Sequence, residues 1–66
     1  MSETADIVQQ IAALRGEHRE LDQAIARSAE APWVDQLELT RMKRRKLRIK
    51  DMIAYLESRL IPDLGA

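Results

Sequence analysis

An all-α fold, an antiparallel hairpin of two coiled-coil helices, is predicted by three observations. Apolar residues recur along two long seams at alternating steps of four and three. A short stretch beside Pro32 separates the seams. The composition, with 33% charged residues, 3% aromatic residues and no Cys, suits long helices better than sheets.

The first seam is Ile7, Ile11, Leu14, His18, Leu21, Ile25 and Ser28, apolar except at His18 and Ser28. It predicts a helix over about 4–28. Ser2 or Thr4 can cap its start, and Glu3 and Asp6 suit the positive end of the helix dipole. Ala29, Glu30 and Ala31 then form the expected bend, 29–31, short enough to force the chain back antiparallel. The second seam is Leu39, Met42, Lys46, Ile49, Ile53, Leu56 and Leu60, predicting a helix over about 32–60. Pro32 suits that helix's first turn, and Pro62 followed by Gly65 stops it.

A register follows from the two seams. Ile25 faces Leu39, Leu21 Met42, His18 Lys46, Leu14 Ile49, Ile11 Ile53 and Ile7 Leu56, and the paired numbers sum to 63 or 64 throughout. The flanks then place Glu17 opposite Arg45 and Asp22 opposite Lys43. Arg15 opposite Lys50 is the one repulsive pair.

One such hairpin buries little apolar area against the entropy of ordering 66 residues. The outer side of the second helix carries another stripe of Trp33, Leu37, Thr40, Leu47 and Ala54. The first helix offers small side chains at Ala5, Ala12, Gly16 and Ala26. Two hairpins joined through these faces make a four-helix bundle, so a homo-oligomer is expected, with Trp33, Leu37 and Leu47 in the interface. Trp33 beside Pro32 either covers the open end of the bundle or anchors a partner.

The composition also limits function. Without Cys there is neither a disulfide framework nor a thiolate metal site. The longest uncharged stretch, Ile7 to Leu14, is too short to span a bilayer. Met1-Ser2-Glu3-Thr4 lacks the basic start and apolar run of a signal peptide, so a cytoplasmic protein is expected. No Gly-rich phosphate loop is present, the only glycines being Gly16 and Gly65. The single His, His18, holds a seam position where an occasional polar residue fixes register, and its expected neighbour Lys46 is no help to a metal. No catalytic residue, metal or cofactor is therefore expected.

Net charge is zero but unevenly spread. Residues 1–40 carry three basic and eight acidic side chains, and residues 41–66 carry eight basic and three acidic. In the run from Arg41 to Lys50, Lys46 points at the seam while Lys43, Arg45 and Lys50 flank it. Arg41, Arg44 and Arg48 remain on one outer side at helical spacing, where they could meet the phosphates of nucleic acid or of anionic lipid. Against that stand the neutral overall charge and the lack of an interleaved aromatic.

Two segments carry a family resemblance. His18-Arg-Glu-Leu21-Asp22-Gln-Ala-Ile25 and Leu39-Thr-Arg-Met-Lys-Arg-Arg-Lys-Leu47-Arg-Ile-Lys50-Asp51-Met-Ile53 resemble the YdcH-like family of short bacterial proteins. Its pattern is H-x-x-L-D-x-x-I followed by a basic L-K-x-x-K-L-x-L-K-D-x-I, and the likeness covers about 15–55. The first Lys of the second pattern is Arg41 here, or Lys43 in another alignment, and Pro32 and Trp33 lie outside it. The resemblance implies a helical hairpin in a bacterial cytosol, of uncharacterised function, and brings no catalytic residues with it.

The reading that combines these features is a self-associating coiled-coil interaction or scaffolding protein, not an enzyme. Its partner is another copy of itself or a further protein. The alternative is a nucleic-acid-binding accessory protein using Arg41, Arg44 and Arg48.

Overall fold

The computed structural model describes residues 3–60. Two helices, α1 (Glu3–Glu30) and α2 (Gln36–Leu60), pack against each other as an antiparallel hairpin. At 1.5 Å per residue the 28 residues of α1 run about 42 Å, nearly the full 47 Å length of the molecule. The thinnest dimension is only 14 Å, so the hairpin is a layer one helix deep.

The heptad spacing decides which residues turn inward. Every seam position on both helices is buried or half-buried, His18, Ser28 and Lys46 included. Among the described residues, Ile7, Ile11, Leu39, Ile49 and Leu56 are buried. Ile7, Ile11 and Leu56 form one cluster, against which Leu14, Ile53 and Leu60 pack. The expected pairs Ile7–Leu56 and Ile11–Ile53 thus fall within a single group of side chains. No described side chain is sealed off completely, because a single layer is open to water on both sides.

The bend departs from its expected place. α1 continues through Glu30, and α2 starts at Gln36, four residues later than Pro32 suggests. Two local effects account for this. A residue preceding proline is steered away from helical geometry, so α1 closes with Ala31 N donating to Ser28 O at 3.3 Å. Asp35 then supplies the cap that Pro32 cannot. Its Oδ1 accepts from the backbone N–H of Leu37 and of Glu38, both at 3.1 Å, while its carbonyl accepts from Leu39 N at 3.0 Å. Pro32 therefore lies in the five-residue connection 31–35 and not in the first turn of a helix. Thr4 lies inside α1, not at its cap; Ser2, Pro62 and Gly65 fall outside the described residues.

Candidate functional site

Ion pairs flank both sides of the seam. On one flank Arg15 of α1 meets Glu57 of α2, and Lys46 Nζ stands 2.5 Å from Asp22 Oδ1. On the other, Arg45 Nη2 lies 3.9 Å from Glu17 Oε2, and Arg59 Nη2 lies 2.6 Å from Glu3 Oε1. The Glu17–Arg45 match is the one expected from the register. Asp22 instead chooses Lys46 over Lys43. Lys43 is exposed, whereas Lys46 starts at the half-buried seam and extends its stem outward to the carboxylate. Arg15 is relieved of its expected repulsion with Lys50, in the same groove, by the carboxylate of Glu57.

His18 and Lys46, the polar seam residues, come together around Asp22. His18 Nδ1 lies 3.6 Å from Asp22 Oδ2, a contact that becomes an ion pair only when the imidazole is protonated. The hydrogen bond from Lys46 holds the Asp22 carboxyl below its ordinary value of 3.8, against the opposing effect of desolvation. The charges of Lys46 and His18 add to the lowering. Among the described residues, no three of His, Cys, Asp and Glu are grouped so as to hold a metal ion.

The two outer grooves differ in character. Leu47 lines the groove of His18 and Asp22, together with Arg19, Lys50 and Ile53. Arg41, Arg44 and Arg48 line the opposite groove with Arg45, over a floor of Leu14, Ile49 and Met52. The three arginines are exposed and carry no ion pair among the described residues. Leu37 precedes them on the same helical row, and Met52 and Tyr55 follow it. Tyr55 is 63% exposed and stands two turns beyond Arg48, so an aromatic does accompany the basic row, five residues past the run itself. Trp33, at 88%, is the most exposed large apolar residue among the described residues and sits in the connection.

No helix among the described residues is long and apolar enough to cross a membrane. Neither the curated proteins nor the solved structures searched gave a match. The family described as protein of unknown function (DUF465) matches residues 11–57, more than two thirds of the chain and the greater part of both helices. The chain belongs to that family, one of short, uncharacterised, YdcH-like bacterial proteins.

Proposed function

We propose that this protein is a non-enzymatic, self-associating interaction module of the cytosol, in which copies of the hairpin cover one another's apolar residues. The observation that carries this reading is the exposure of Trp33, Leu37 and Leu47 at 88%, 62% and 60%. A compact monomer of 7.6 kDa exposes about 4,300 Å² of surface, and this chain exposes 5537 Å². Two hairpins stacked as a four-helix bundle remove that excess and close the layer on one side. The alternative is a nucleic-acid-binding accessory protein, which draws its support from Arg41, Arg44 and Arg48, exposed and without an ion pair among the described residues.

Sedimentation over a hundredfold range of concentration tests the reading, together with Leu47→Glu, which places a charge in the groove and leaves the seam alone. Self-association should raise the melting temperature as concentration increases. The variant should lose the contact that covers Leu47 and sediment as a smaller species than wild type, since burying a new carboxylate there costs several kcal/mol. Wild-type protein that stays monomeric at full helix content throughout would end the proposal. Steep loss of oligonucleotide binding with salt would then favour the alternative.

A further inference from the structure

The flank of the hairpin that carries the arginine row is divided by charge along its length. Its α2 half presents Arg41, Arg44 and Arg48. Its α1 half presents Asp6, Glu17 and Glu20, at the helical spacing that puts them on one side. Within one chain the two halves are already matched in height, by Glu3 with Arg59 and Glu17 with Arg45. Glu20, one turn on from Glu17, falls at the level of Arg41 and Arg44. Near the connection both signs invert together, with Arg27 on α1 and Glu38 on α2.

We infer that a second copy of this chain docks on the arginine flank through the acidic side of its own α1, about a two-fold axis parallel to the helices. That axis turns the partner over without changing heights, so each α1 lies over the other copy's α2. Acidic levels then meet basic ones, and Arg27 meets Glu38. An axis across the helices would instead lay α1 on α1 and bring like charges together. The same division of charge argues against a polyanion, because a phosphate chain on the arginines would run alongside Glu17 and Glu20. Small side chains at Ala13 and Ala24 leave room on the acidic side for Met52 and the arginine stems. This inference rests on the self-association reading and adds the flank and the orientation. Leu37 goes into this contact, while Leu47, on the opposite groove, belongs to a further contact of the assembly.

The test uses two double variants, Arg41→Glu with Arg48→Glu, and Asp6→Lys with Glu20→Lys. None of these four residues has an ion pair within the described chain, so helix content by circular dichroism should stay at the wild-type level. Each variant alone should self-associate at least about tenfold more weakly than wild type, and an equimolar mixture should recover association as a heterodimer. The recovery guards against a variant that merely misfolds. If wild type associates and both variants match it, or the mixture forms no heterodimer, the arrangement is wrong and self-association stands. A monomeric wild type overturns both. A single-stranded oligonucleotide that binds wild type and not the glutamate variant, with sedimentation unchanged, also overturns the arrangement and assigns the row to a polyanion.

Discussion

Lys46 crosses the helix seam to bring its Nζ within 2.5 Å of Asp22 Oδ1. This contact lowers the Asp22 carboxyl, which gives it a definite signature in acid. The folded value lies below the ordinary 3.8, so the unfolded chain takes up the proton more readily. The stabilisation is therefore complete above the ordinary carboxylate range and is lost as pH falls through the folded value. Melts of wild type and Asp22→Asn should differ at neutral pH and converge in that acidic window. A gap that persists unchanged through the window would remove the carboxylate's charge as its cause.

Core substitutions should be graded by burial. Ile49 is the most buried of the described core residues, at 4% exposure, and Ile49→Ala should cost about 2–4 kcal/mol. Leu21 is only half-buried, so Leu21→Ala should cost less, about 1–2 kcal/mol. Arg44→Ala, on the outer face, should change stability by less than about 0.5 kcal/mol. Denaturant titration of the three variants gives the ranking, and equal effects would mean that the faces are misassigned.

The start of α2 depends on one carboxylate. Asp35→Ala removes the acceptor for two backbone N–H groups and should cost about 1 kcal/mol. Asp35→Asn keeps an acceptor in the same place and should be nearly neutral. If both variants lose the same amount, the cap is not what begins the helix.

Gly16 lies in the middle of α1, and a Cβ built there meets nothing within 4 Å. Gly16→Ala should therefore stabilise the hairpin by about 0.5–1 kcal/mol, through lower backbone entropy in the unfolded chain. Should the same variant weaken self-association, Gly16 lies where two copies approach closely; no change in association would exclude it from the contact.

The seams were legible because burial follows the 3.5-residue repeat directly, down to half-buried His18 and Lys46. The bend was not, because two start signals compete within four residues. Pro32 is acceptable at a first turn, yet Asp35 followed by Glu38 offers a side-chain acceptor to the free N–H groups, and hydrogen bonding outweighs a merely compatible φ. Partner choice among the charges was only partly legible. Glu17 found Arg45, but Asp22 took Lys46 and Arg15 took Glu57, since long side chains reach along the seam beyond the residue opposite. Tyr55 is not legible in the sequence as a companion to the arginines, because it follows the basic run and lies outside it.

Of the five residues buried among those described, three, Ile7, Ile11 and Leu56, lie at the end of the hairpin farthest from the connection. The consequence is kinetic. Contacts beside the connection close a short loop, whereas Ile7 and Leu56 close one of nearly fifty residues, so the hairpin is expected to zip from the tip and seal last where it is best packed. Asp35→Ala should then slow folding with little effect on unfolding. Ile7→Val should do the reverse, hastening unfolding while the folding limb of a chevron barely moves. A protein built this way gains its lifetime from its two ends and its speed from its middle.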